Sequence, residues 1–181
     1  MAACTIRLIR PEEVDLLPKM ERAADQRFID AGYFSEADIG PGDFQVERYR
    51  EGGPTWMAVD ERDSPMGFIH MGRLPQGPHI EELSVLPEHG RKGVGTALLH
   101  HVLDLAREAN EFAVTLATDI HVPWNAPYYE KIGFEAVSPM ALGREYLDLR
   151  AAEAAKNLNP NTRQIMIYYL NPVSRNEPAA R

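Results

Sequence analysis

The chain is short of cysteine, of basic residues and of long apolar runs, and each shortage closes off a class of protein. A single cysteine, Cys4, leaves no internal disulfide to form, which fits a reducing compartment. The neighbours His100 and His101 point in different directions on a helical pattern, and no Cys/His set has metal-ligand spacing, so no metal is expected. Nineteen Lys and Arg against 27 Asp and Glu give a net charge of -8. That balance argues against nucleic acid, whose affinity depends on basic surface, and favours a cationic small molecule. No run approaches the roughly 20 apolar residues of a membrane span. Residues 1–5 carry no basic group and the apolar stretch 6–9 is broken by Arg7, so no secretory leader is expected. The expectation is a soluble, cytoplasmic protein with no membrane or nucleic-acid partner, and a homodimer stays open.

With 44% apolar residues among 181, the chain suffices for one domain over residues 1–170, followed by a polar, proline-containing tail at 171–181. Residues 5–9 alternate as a strand and run past Pro11 into a helix carrying Val14, Leu17 and Met20. Residues 28–44, punctuated by Gly32, Gly40, Pro41 and Gly42, read as a loop. Strands at 56–59 and 66–71 form a hairpin, and a strand at 80–86 follows the turn at 75–78. From Gly93, the apolar positions Val94, Leu98, Val102, Leu105 and Ala106 take helical spacing, and a strand follows at 112–118. A short helix at 123–132, a strand at 134–137, a helix at 144–157 and a closing strand at 165–170 complete an α/β (α+β) pattern.

The turn His89-Gly90-Arg91-Lys92-Gly93-Val94-Gly95-Thr96 lies between a strand and a helix. A helix N-terminus presents amides without helical acceptors and a partial positive charge, so it suits a phosphate. Gly93 and Gly95 permit close backbone approach, and Arg91 and Lys92 add charge. A dinucleotide fingerprint lacks its third glycine here, and no Gly-Lys-Ser/Thr marks a phosphate-loop NTPase.

The wider string Leu83-Ser84-Val85-Leu86-Pro87-Glu88, the turn, and Ala97-Leu98-Leu99 resembles motif A of the GNAT acetyltransferases. In that family a Leu-x-Val-x-Pro strand precedes a Gln/Arg-x-x-Gly-x-Gly/Ala turn whose amides hold the pyrophosphate of acetyl-CoA. This chain has Gly90 where Gln or Arg is usual, with Arg91 after it, as some bacterial small-molecule members do. Downstream, Asn125-Ala126-Pro127-Tyr128-Tyr129-Glu130-Lys131-Ile132-Gly133-Phe134 is similar to a shortened form of the family's Asn…Tyr…Gly-Phe motif. The resemblance covers about residues 5–170, with specific motifs only at 83–99 and 125–134. It implies the GNAT fold, a mixed central sheet of six to seven strands flanked by helices. It also implies acetyl-CoA as co-substrate, bound by Leu83, Ser84, Val85, Arg91, Lys92, Gly93, Val94, Gly95, Thr96, Asn125 and Tyr128.

The activity implied is transfer of an acetyl group to a primary amine of a small molecule. A catalytically silent acyl-CoA sensor and an acetyltransferase of protein N-termini or lysines are the rival readings. Attack on a thioester needs a neutral amine, and alkyl amines titrate near 10, so a base is required. In His79-Ile80-Glu81-Glu82-Leu83, a period of two puts His79 and Glu81 on one face. Glu81 is similar in placement to the proposed base of spermidine/spermine acetyltransferases. The pair His79 and Glu81 resembles in spacing the paired histidines of serotonin acetyltransferase. A bulge would promote Glu82 instead. Tyr129, with Tyr128 as its rival, matches the tyrosine that protonates the leaving thiolate. For the acceptor pocket the candidates are Phe28, Tyr33, Phe34, Asp119, His121 and Trp124, with Trp56 beside them and Asp30, Glu36 and Asp38 for an extra cationic group. Asp119 and His121 equally suit a turn cap.

Overall fold

A computed structural model of the chain describes residues 4–35, 46–155, 158–159 and 161–171. These form two compact units, Met1–Gly72 with Glu81–Asp104, and Arg73–Ile80 with Leu105–Arg181.

In the first unit, β1 (Thr5–Leu8) pairs antiparallel with β2 (Thr55–Val59), and β2 with β3 (Pro65–Leu74). The pairing of β2 with β3 slips at Ala58/Val59, next to a turn in which Asp60 Oδ1 accepts the amides of Arg62 and Ser64. Helix α1 (Leu17–Asp30) follows a 3-10 segment, Pro11–Leu16, and buries Leu17, Met20 and Ala24 along one stripe. The short α2 (Val46–Glu51) adds Tyr49. Leu17, Met20, Tyr49, Met57, Val59 and Phe68 make one apolar cluster, so the Met57 face of β2 looks toward α1 and α2. By alternation Trp56 takes the other face, where its ring meets His101 of α3 (Val94–Glu108) at 5.6 Å. Within α3, Leu99 and Leu103 join Val94, Leu98, Val102 and Ala106 in the core, and Leu105 is half-buried.

Strand β4 (Gly77–Val85) runs through both units, and the order across the mixed seven-stranded sheet is β1-β2-β3-β4-β5-β7-β6. In the second unit, β4 pairs parallel with β5 (Ala113–Asp119), and β7 (Arg163–Tyr169) lies antiparallel between β5 and β6 (Glu135–Val137). Gly77, at φ 129°, lets β4 start close to β5, since a Cβ there would sit 2.4 Å from the Ala113 carbonyl oxygen. Helix α4 (Ala126–Ile132) ends at Gly133, whose φ of 112° closes the turn before β6. Then α5 (Pro139–Leu142) and α6 (Arg144–Ala155) follow. Glu153 ties α6 to β7 by accepting from Arg150 and from Arg163 Nε at 3.1 Å, and the fully buried Tyr146 packs beneath.

Two expectations change at this level. The loop expected over 28–44 is helical as far as Asp30, because Leu17, Met20 and Ala24 prolong the buried stripe past Gly-poor sequence. Residues 36–44 of that span, with Glu36 and Asp38, lie outside the described residues, as do 156–157 of the last helix and 172–181 of the tail. Trp56 faces α3, so it is removed from the cluster around Tyr49 by the thickness of the sheet.

Candidate active site

The strand-turn-helix at 83–99 is local in sequence and forms as the sequence implies. Ser84 is buried, Leu83 and Val85 are half-buried, and a 3-10 turn, Pro87–His89, leads into Gly90. Arg91 at φ 55° and Gly93 at φ 88° then turn the chain into α3. The amide of Ala97 donates to the Gly93 carbonyl at 2.9 Å, so the amides before it, at Val94 and Gly95, have no helical carbonyl to bond. Arg91 and Lys92 are exposed, Val94 is buried, and Gly95 and Thr96 are half-buried. A backbone turned through two positive φ angles into a 15-residue helix, with two solvated cations on the turn, fits a diphosphate.

On β4 the expected alternation breaks. His79 is buried, and its Nδ1 lies 2.8 Å from Thr115 Oγ1, which in turn is 3.3 Å from the Tyr146 hydroxyl. Glu81 instead meets His70 of β3, with Oε2 3.6 Å from Nε2, and lies against Gly72. The consecutive Glu81 and Glu82 both look to the neighbourhood of Tyr49, Glu81 through His70 and Glu82 through Arg48, as a bulge in this strand would have them. Glu82 accepts from Ser84 Oγ at 2.9 Å and sits 3.4 Å from Arg48 Nη2.

A buried network completes this part of the first unit. Arg48 Nη2 donates to Glu21 Oε1 at 2.8 Å, and the Tyr49 hydroxyl donates to Glu21 Oε2 at 2.7 Å. The Tyr49 ring packs edge-on to His70 with centroids 4.9 Å apart. Two donors favour an ionised Glu21, but burial and the charge of Glu82 outweigh them and push it up to about 8. Burial and Glu82 likewise push Asp25 up to about 7. Burial, then Glu82 and Glu21, raise Tyr49, so its phenol keeps its proton. Burial and the Arg48 charge hold His70 down at about 4, and burial and the Arg163 charge hold His79 at about 4. Glu21, Asp25, Arg48, Tyr49 and His70 were not singled out from sequence. A signal was present: Glu21 and Asp25 stand on the apolar stripe of α1, and His70 interrupts the buried run of β3.

In the second unit Asn125 precedes α4, and its carbonyl accepts the amides of Tyr128 at 2.9 Å and Tyr129 at 3.2 Å. Both tyrosines are half-buried, their rings 5.3 Å apart, and Tyr129 continues an aromatic row through Phe134 to Tyr168. Asp119 is buried and serves the turn after β5, accepting the His121 amide at 2.8 Å and the Thr162 hydroxyl at 2.5 Å. His121 is exposed and Trp124 half-buried. In the first unit Phe28 and Phe34 meet edge to face at 5.5 Å, Arg27 covers Phe28, and Tyr33 is exposed.

The titrations give opposite slopes. A histidine whose folded value falls from about 6.5 to about 4 contributes stability that is complete above pH 6.5 and is lost as pH falls toward 4. His79→Asn keeps an amide for Thr115 without titrating. Between pH 7.5 and 5 it is expected to lose less stability than the parent, by on the order of 1–2 kcal/mol. Glu21→Gln is expected to show the reverse sign, losing less as pH rises from 5 to 8. Denaturant melts at the three pH values check both; identical slopes in parent and variants would refute the assignment.

The family model of the acetyltransferase (GNAT) family matches residues 19–134, which span both the turn and the Asn125 motif. The chain belongs to the GNAT acetyltransferase family. This GNAT chain is similar to the peptidyl-lysine N-acetyltransferase YjaB of Escherichia coli K12, 31% identical over 112 residues, 62% of this chain and 67% of that protein. To YjaB of Salmonella typhimurium it is 29% identical over 133 residues, 72% of this chain and 82% of the relative. In fold it resembles the PaiA N-acetyltransferase of Thermoplasma acidophilum, crystallised with coenzyme A, at a TM-score of 0.66 and 16% identity, over 92% of this chain and 99% of that one. As a GNAT enzyme it is an N-acetyltransferase with acetyl-CoA as co-substrate. No described helix is long and apolar enough to cross a membrane.

Proposed function

We propose that the acceptor is a primary alkyl amine, the ε-amine of a lysine in a polypeptide, and that it attacks the thioester directly with Glu81 as base and Tyr129 as acid. The observation that carries this is Glu81 itself: a carboxylate with 40% of its side chain exposed, in the strand that leads into the phosphate-binding turn. The YjaB relatives, named for peptidyl-lysine, support the choice of lysine. Bound acetyl-CoA supplies the activated acetyl carbonyl. Glu81 takes the proton of the ammonium, the neutral nitrogen then attacks the acetyl carbonyl, and as the C–S bond breaks the Tyr129 hydroxyl gives its proton to sulfur and is restored by the proton that the new N–C bond makes acidic. Leu83 to Val85 offer strand amides toward the carbonyl oxygen. Gly93, Val94, Gly95 and Thr96 would hold the diphosphate, with Arg91 and Lys92 adding charge, and the family resemblance assigns Asn125 and Tyr128 to the cofactor as well.

The small-molecule reading keeps one specific support. Glu82 and Asp25 are carboxylates beside Arg48, with Arg22 and Arg27 also acting on Asp25, and an acceptor with a second ammonium would compete with those cations for them. Thiol release from acetyl-CoA over a panel of lysine peptides, N-terminal peptides, polyamines and aromatic amines separates these readings. Turnover confined to lysine peptides is the expected result, and silence toward every amine would replace catalysis by acyl-CoA sensing. Tyr129→Phe is expected to lower kcat about 10- to 100-fold with cofactor affinity within about twofold. An equal loss of affinity in calorimetry would give Tyr129 a packing role.

A further inference from the structure

We propose that His70 and Gly72 of β3 are positioning residues for Glu81, the histidine Nε2–H and the bare face of the glycine together fixing where the carboxylate sits. The inference rests on the reading of Glu81 as the base, and it begins from a buried polar atom. The His70 side chain is wholly buried, and Nδ1 lies 2.7 Å from Thr55 Oγ1. The opposite nitrogen, Nε2, has no hydrogen bond at full geometry, and its neighbour Glu81 Oε2 is 3.6 Å away. The Arg48 carbonyl oxygen lies on the same side: a side chain on Gly52 would stand 2.4 Å from that oxygen and 2.6 Å from Nε2.

A carbonyl and a carboxylate only accept. The hydrogen therefore sits on Nε2, and Nδ1 accepts from the Thr55 hydroxyl, which anchors the ring from β2. The Arg48 carbonyl acts on the ring as one acceptor, and Glu81 Oε2, at 3.6 Å from Nε2, is a second that a shift of about 0.7 Å would bring into a charge-assisted bond. Contacts of this kind close in the reacting complex.

Gly72 acts from the same strand. A Cβ on it would lie 2.0 Å from Glu81 Oε1 and 2.8 Å from Glu81 Cδ, so the carboxylate rests on the strand where only a glycine leaves room. The obstruction is the end of a flexible side chain, so an alanine there moves Glu81 rather than the sheet. Left to itself, a partly exposed glutamate samples several rotamers, and holding it in one removes that entropy from the barrier. The charged and titratable groups packed around the pair are Arg48 and Tyr49 on α2, Glu82 on β4 and, through Arg48 and Glu82, Glu21 and Asp25 on α1.

The test compares Gly72→Ala, His70→Asn and His70→Gln, alone and combined with Glu81→Gln, by steady-state kinetics. The glutamine amide stands close to the place of Nε2 and the asparagine amide close to that of Nδ1. Gly72→Ala and His70→Asn are expected to lower kcat about 10-fold, with KM for acetyl-CoA within about twofold. Their rate rises toward high pH should follow that of Glu81→Gln, and His70→Gln should recover most of the loss. Combined with Glu81→Gln, neither should cost anything further. If His70→Gln is as impaired as His70→Asn, or if the losses persist undiminished with Glu81→Gln, the two residues are only structural and Glu81 keeps its role. If Glu81→Gln alone turns over like the parent near pH 7, the base assignment fails and the positioning proposal falls with it.

Discussion

Glu81→Gln should lower kcat/KM for the amine about 100- to 1,000-fold near pH 7 and recover progressively as pH approaches the amine's own titration near 10. The amide is nearly isosteric, cannot accept the proton, and leaves the buried partners of β4 untouched, since Glu81 is partly exposed. Recovery at high pH is the decisive part, because there the acceptor arrives neutral and no base is needed. Glu82→Gln is the control. Glu82 is engaged by Ser84 and Arg48, so its loss should disturb the network around Tyr49 and leave the shape of the pH profile alone. A Glu81→Gln rate depressed equally at all pH values, or a profile that moves only with Glu82→Gln, would transfer the base role away from Glu81.

The second large effect is expected at the turn. Gly93→Val should weaken coenzyme A binding about 100-fold or more by calorimetry and abolish measurable turnover at micromolar donor. Gly93 holds φ at 88°, a conformation that a β-branched residue adopts only under strain of about 1–3 kcal/mol. The strain falls on the residue whose carbonyl opens α3 by accepting the Ala97 amide, so the amides at Val94 and Gly95 lose their common aim. Lys92→Ala removes one exposed charge from a solvated turn and should cost only a few-fold. Unchanged affinity in Gly93→Val would mean that the diphosphate is held elsewhere.

The contrast between these two sites follows how each is encoded. The turn was legible because its parts are consecutive: a strand, two glycines and a helix start give the amide cradle by backbone geometry alone. The hairpin of β2 and β3, the helix at Val94–Glu108 and the closing strand were legible for the same reason, as period and punctuation lie within a dozen residues. The continuation of α1 to Asp30 was hidden by the glycines and prolines that follow it, and α5 and α2 are too short for periodicity to declare them. The facing of Glu82 stayed open in the sequence because a period of two assumes an unbroken ladder, whereas Glu81 and Glu82 look the same way.

By itself, then, the order of residues determined the family, the cofactor and the strand, turn and helix proposed to hold its phosphates, since contiguous backbone amides are a local property. Only the tertiary structure brought Glu21, Arg48, Tyr49 and His70 from α1, α2 and β3 to the carboxylates of β4. A side chain's partner across a sheet or beneath a helix depends on register and packing, which no short stretch of sequence carries.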